Sequence, residues 1–242
     1  GATLSSQDVT ERSVTLQVAT QKGVDTTFTS DDLSLDIDDF SDRILSPAMS
    51  VLAANIESDA LSMYKDTNNQ VADIGATITT SDILTASKTL TDNLAPYDGR
   101  CLNLSTQDNM DLVEVMKGLF NSQTELSNNY REGRVASNTF GFSEIMENTM
   151  MPSHTGGSDD GTGDYLVNDS GTIAEGSTSI TVDTGAGTFK KGDIVYFASV
   201  NSVHPETKAD TGNLAKFVIT ADVSANATSL PVSPALRSSG AL

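Results

Sequence analysis

Apolar residues recur at Leu33, Ile37, Phe40, Ile44, Ala48, Leu52, Ile56, Ala60 and Met63, at steps of three or four. That is the period of one helical face. Ser30 precedes the run as an N-cap, and Asp31 and Asp32 suit the positive end of a helix dipole. The register continues across Pro47, so the pattern predicts one long helix to Asp66 with a kink or joint at Ser46-Pro47. Asn68 to Gln70 ends it. At 1.5 Å per residue the rod is roughly 50 Å long.

Elsewhere the pattern alternates. Ser13 to Ala19 reads as a strand, with Val14, Leu16 and Val18 on one face, broken by Gly23. Thr26 to Thr29 is extended. Ser81 is expected to cap a helix carrying Ile83, Leu84 and Leu90, and Pro96-Tyr97-Asp98-Gly99 to form a turn. Arg100 to Leu104 reads as a strand with Cys101 inward. Thr106 is expected to cap a helix that buries Met110, Val113, Met116 and Phe120, and Thr139 to Phe142 to run extended around Gly141. This middle block is α+β. Ser153 to Gly163 is a Gly, Ser, Thr and Asp stretch, a boundary or loop. Beyond it, Thr178 to Val182, Asp193 to Val200 and Lys216 to Thr220 read as strands. Gly185-Ala186-Gly187 and Asp210-Thr211-Gly212-Asn213 separate them. Short strands at that spacing predict a small barrel or sandwich over residues 153–242.

Composition narrows the class. The chain has 242 residues, 37% hydrophobic, and a formal net charge of −19. That length buries a real core. Such a surface repels nucleic acid and anionic membranes. A protein living beside DNA without gripping it, or one from a saline habitat, has the same balance. The lone Cys101 excludes an internal disulfide framework and reads as a small core residue. No stretch is long and apolar enough to span a membrane, and no signal peptide is visible. A start at Gly1 and an unfinished last element suggest a fragment.

Catalytic equipment is thin. His154 and His204 are the only histidines, both in polar, loop-like surroundings. There is no Gly-x-Ser-x-Gly elbow, no His-Glu-x-x-His and no Cys-x-x-Cys, so no enzyme activity and no cofactor are expected. Asp159, Asp160 and Asp164, between glycines, are the weak metal candidates, as hard oxygen donors suited to calcium. A solvated interdomain loop is the simpler reading, since a single Gly-Asp turn cannot stack. Gly185-Ala186-Gly187 lacks the Lys-Ser or Lys-Thr of a phosphate loop. Tyr130-Arg131-Glu132-Gly133-Arg134 is the densest mixed-charge patch; Arg131 and Arg134 could pair with acidic residues of a neighbouring subunit or be solvated.

Several stretches, in order, carry a family resemblance. They are Thr15 to Ala19 with Asp31-Asp32-Leu33, Leu52 to Glu57, Arg100 to Leu104 with Ser105 to Asp108, Gly133 to Ala136, Gly141 to Ile145, Phe189 to Val200, Phe217 to Ile219 and Ser233 to Leu236. The chain resembles the major coat protein of tailed bacteriophages, of the podophage type with an inserted β-domain. The resemblance implies the tailed-phage capsid shell fold. Residues 1–30 would be the return strand of the extended loop, 31–70 the spine helix of the peripheral domain, 71–152 the α+β part of the axial domain and 153–242 the inserted barrel-like β-domain. It implies self-assembly of copies of the chain into an icosahedral head, around a scaffolding protein and with a portal. It further implies DNA packaged without sequence-specific binding, a place in the virion after assembly in the host cytoplasm, and no membrane partner. Val14, Leu16, Val18, Arg131 and Arg134 become candidate interface residues. On that resemblance, the family's N-terminal arm and the outgoing half of its extended loop, and the segments after the insertion, would be missing from this stretch of sequence.

Two other classes compete. A secreted or surface-exposed bacterial module, flagellin-like or adhesin-like, fits the low Cys and abundant Ser, Thr, Asn and Gly, but a flagellin needs paired long terminal helices. A calcium-dependent hydrolase centred on Asp159 to Asp164 lacks a nucleophile and base.

Overall fold

The computed structural model describes residues 20–25, 27, 41–71, 75–116, 139–158, 165–169, 171, 173–183 and 185–236. The chain divides into two compact units, Gly1–Asn55 and Ile56–Leu242. The strand at Ser13 to Ala19, the helix start at Ser30, and Phe120 lie outside the described residues.

A π-helical turn, Ser41–Leu45, leads into helix α1, Ser46–Leu61, which passes into a 3-10 turn, Ser62–Asp66. The change of helix type falls at Ser46-Pro47, where the pattern predicts a joint, because Pro47 has no N–H to donate into the preceding turn. The chain is extended by Thr67. No side chain of α1 is buried.

Helix α2, Thr80–Asp92, strand β1, Cys101–Leu104, helix α3, Thr106–Met116, and strand β2, Glu144–Glu147, follow. The caps lie before the expected ones. Thr79 caps α2: its N–H and Oγ1 donate to Asp82 Oδ2 at 2.8 and 2.6 Å, the carboxylate half of a capping box, and Ser81 sits inside the helix. Ser105 caps α3, its Oγ accepting from the Asp108 N–H at 3.1 Å, so Thr106 is the first helical residue. Serine and threonine are both good caps, so the point where the backbone turns decides between neighbouring candidates. Of the apolar residues that α2 carries, Ile83 is buried, and Leu84 and Leu90 are exposed. On α3 the buried stripe is Asn109, Leu112 and Met116; Val113 is half-buried and Met110 is exposed.

β1 and β2 pair in parallel, with Cys101 opposite Glu144 and Leu104 opposite Glu147. Alternation then sends Leu102 and Leu104 into the core with Ile83, Leu112, Met116 and Phe142. Cys101 faces outward and is exposed, against the inward placement expected from the apolar run. Thr139 to Phe142, expected to be extended, is a tight turn. Phe142 N–H donates to Thr139 O at 3.0 Å, and Phe140 and Gly141 take φ of 56° and 83°. Positive φ at both central positions is the hairpin type I′ geometry.

Arg100 packs beneath this block. Its Nε donates to Pro96 O and its Nη2 to Ala95 O, both at 2.7 Å, and its Nη1 to Thr91 Oγ1 at 3.2 Å. The guanidinium stacks 4.2 Å from the Tyr97 ring. A cation among carbonyls just past the end of α2 complements the negative pole of that helix.

The C-terminal part is β-structure. Strands β3 (Ser179–Thr181), β4 (Ile194–Val195), β7 (Phe217–Ile219) and β8 (Ser229–Ser233) form one four-stranded sheet in the order β3-β8-β7-β4. Its three strand pairings are all antiparallel. Ile180, Val182, Phe217, Ile219, Val223, Leu230 and Val232 make its core. The strand expected over Asp193 to Val200 pairs only at Ile194 and Val195. The chain then turns, Val200 N–H donating to Phe197 O with Ser199 at φ 64°. Asp210 to Asn213, expected to be a separator, belongs instead to a strand, β6 (Asp210–Leu214), paired antiparallel with β5 (Asn201–Val203). Every β6 residue is exposed, so there was no hydrophobic alternation to read.

Candidate assembly surface

Leu45, at the end of the π-helical turn, and Met49, Leu52 and Ile56 on α1 repeat at helical spacing. Met49 is 62% exposed and Ile56 58%, and Leu52 is only half-buried. Further on, Met63 is 66% exposed. An apolar stripe normally lies against a core. The β5–β6 ribbon is a second bare surface, with Val203 and Leu214 exposed. The outer face of the β1–β2 pair, Cys101, Asn103, Glu144 and Met146, is a third. Parallel strands are ordinarily covered on both faces, so an open one is unusual.

The polar clusters hold loops. His154 Nε2 lies 2.7 Å from Asp193 Oδ1, a pair bridging 39 residues that no local motif announces. The other Asp193 oxygen accepts the N–H groups of Gly157 at 2.9 Å and Lys190 at 2.7 Å. Ser158 Oγ is engaged with Thr188 Oγ1 at 3.0 Å. His204 Nδ1 accepts from Glu206 and Thr207 N–H at 3.3 Å and so closes a turn. Lys190 and Asp222 pair at 2.8 Å; that hydrogen bond lowers the Asp222 carboxyl and raises the Lys190 ammonium from their ordinary values.

Among the described residues, no group of His, Cys, Asp and Glu could hold a metal ion, and no helix is long and apolar enough to cross a membrane. The metal candidates Asp159, Asp160 and Asp164 lie outside the described residues, as do the interface candidates Val14, Leu16, Val18, Arg131 and Arg134. Sequence reasoning missed the ribbon and the outer face of β1–β2. For β1–β2 the signal was available in the alternation of Leu102 and Leu104.

A long helix with an uncovered apolar stripe, an exposed ribbon and an open sheet face define a subunit built to be covered by other chains. The model of one family, P22 coat protein – gene protein 5, matches residues 2–236, and the chain belongs to that family. It is therefore a tailed-phage major capsid protein, a structural subunit of a phage head. No curated protein matches the chain. The mixed helix-and-sheet architecture agrees with the α+β expectation, and the family supports the capsid fold. Family membership implies self-assembly into a shell and a place in the virion.

Proposed function

We propose that copies of this chain close into an icosahedral head around a scaffolding protein, with a portal at one vertex and DNA enclosed without sequence-specific contacts. Assembly takes place in the host cytoplasm. Residues 31–70 act as the spine, 1–30 as the returning strand of an extended loop, 71–152 as the axial part and 153–242 as an inserted β-domain of barrel type. Val14, Leu16 and Val18 on the loop strand, with Arg131 and Arg134, contact neighbouring subunits. The chain does no chemistry and needs no cofactor. The observation that carries this reading is the bare stripe of α1, since symmetric assembly needs large repeated surfaces and no active site.

The test is expression with the neighbouring gene as candidate scaffold, followed by negative-stain electron microscopy. Wild type is expected to give uniform closed shells. The double variant Met49→Asp/Ile56→Asp is expected to keep the wild-type circular dichroism spectrum and melting midpoint and to form no shells. Soluble wild-type monomers at every salt concentration would overturn the head-building reading. Normal shells from the variant would overturn the role of the stripe.

A further inference from the structure

The 3-10 turn and the chain that leaves it, residues 62–71, lie over the Lys190-Lys191-Gly192-Asp193 turn of the β-structure. Asp66 Oδ1 and Lys191 Nζ are 2.7 Å apart. Asn68 Nδ2 donates to Lys216 O at 3.0 Å, Gln70 Nε2 to Gly192 O at 3.3 Å, and Lys216 Nζ donates back to Gln70 O at 2.6 Å. Gly192 is buried with φ +104°; a Cβ there would stand 3.1 Å from Lys65 Cγ and 3.3 Å from His154 Cε1. The Tyr64 ring meets the His154 ring edge-on at 6.0 Å, and the buried Tyr64 hydroxyl has no hydrogen-bond partner.

What holds this segment differs in kind from what holds the sheet beneath it. None of residues 62–71 is buried, whereas every residue of β7 is. The segment is fixed by side chains gripping backbone carbonyls and by an ion pair whose partners are 43% and 59% exposed. Such bonds contribute modestly in water, and an exposed ion pair adds little. Elements with few buried apolar contacts open at the low end of the local stability range. The orphan hydroxyl adds to this, because it gains a water partner when the segment lifts.

We propose that residues 62–71 form a latch over Gly192 that opens and closes as one unit while the β7–β8 core stays intact. Closed, it fixes the C-terminal end of α1 to the β-structure; open, it frees that end without unfolding either hydrophobic core. Asn68 and Gln70 are its two hooks, and Gly192 is the seat that no other residue fits without displacing Lys65 or His154.

Hydrogen exchange followed by mass spectrometry on the full chain tests this, with peptides covering 62–71 and, as reference, β7 and β8. In the wild type the latch peptide is expected to exchange much faster than β7–β8. In Asn68→Ala/Gln70→Ala it is expected to exchange roughly tenfold faster again, from the loss of the Asn68 bond to Lys216 O and of the Gln70 bonds to Gly192 O and, within the segment, to Tyr64 O and Thr67 O, with β7–β8 unchanged. Latch exchange as slow as β7–β8 in the wild type would overturn the proposal. So would a variant that leaves the latch rate unchanged, or one that accelerates latch and sheet together. No part of the measurement depends on shells forming.

Discussion

Removing the Arg100 guanidinium should weaken the α2–β1 block far more than removing an ordinary surface arginine. The residue is 6% exposed and its donors end on the carbonyls of Ala95 and Pro96 at 2.7 Å and on Thr91 Oγ1 at 3.2 Å. In Arg100→Ala these acceptors lose a charged donor. Hydrogen bonds to charged groups contribute about 1.5–3 kcal/mol each. Two short ones lost give about 3–6 kcal/mol, and water reaching the part-buried Ala95 and Pro96 carbonyls in the variant returns part of it, leaving about 3 kcal/mol. With a urea slope near 2 kcal/mol per molar, the unfolding midpoint should fall by about 1.5 M. Urea titration followed by far-ultraviolet circular dichroism reads this. Arg100→Lys keeps the charge but cannot reach three acceptors with a planar fork or stack on Tyr97, so it should recover less than half of the loss. A midpoint for Arg100→Ala within about 0.3 M of wild type would refute the reasoning, as would full recovery by lysine.

Gly157→Ala should destabilise the β-structure, because a Cβ there would stand 1.8 Å from Thr188 O and 2.6 Å from Phe189 Cα, both backbone atoms that cannot swing aside. A loss of about 1–3 kcal/mol is expected from such overpacking, read as a lower thermal midpoint; an unchanged midpoint would contradict the close approach. Asp82 supplies a pH signature. Its hydrogen bonds from the Thr79 side chain and then the Thr79 backbone hold its carboxyl below the ordinary value, so its folded pKa lies below its unfolded one. The stabilisation is complete above about pH 4, the ordinary aspartate value, and is lost as pH falls through the depressed folded value. Wild type should therefore be more stable than Asp82→Asn at neutral pH, and the gap should close in acid. A gap independent of pH would mean that the carboxylate charge plays no part in the cap.

Local pattern by itself determined where most elements lie. The three-and-four spacing through Ile44, Ala48, Leu52 and Ile56 marks α1, and Pro47 marks its joint, because periodicity and a missing N–H are properties of the chain alone. Short runs such as Ser179 to Thr181 and Phe217 to Ile219 are strands for the same reason. The family was also legible, through the order of short motifs rather than through any one of them, and the match over residues 2–236 agrees.

Facing and partnership needed the tertiary structure. A period says that a face exists, not what lies against it. Cys101 reads as inward until its pairing with Glu144 fixes which alternate residues meet α3, and then Leu102 and Leu104 take the core. Asp210 to Leu214 has no strand pattern, because a ribbon exposed along its length leaves no apolar alternation; its ladder to Asn201–Val203 makes it a strand. His154 and Asp193 are joined only when the chain folds back across 39 residues. The helical period of α1 was legible, but which residues stay bare was not: Leu45 and Met49, outside the apolar run read from the sequence, are exposed, while Ile44 and Ala48, inside it, are half-buried, since burial depends on what packs against the helix.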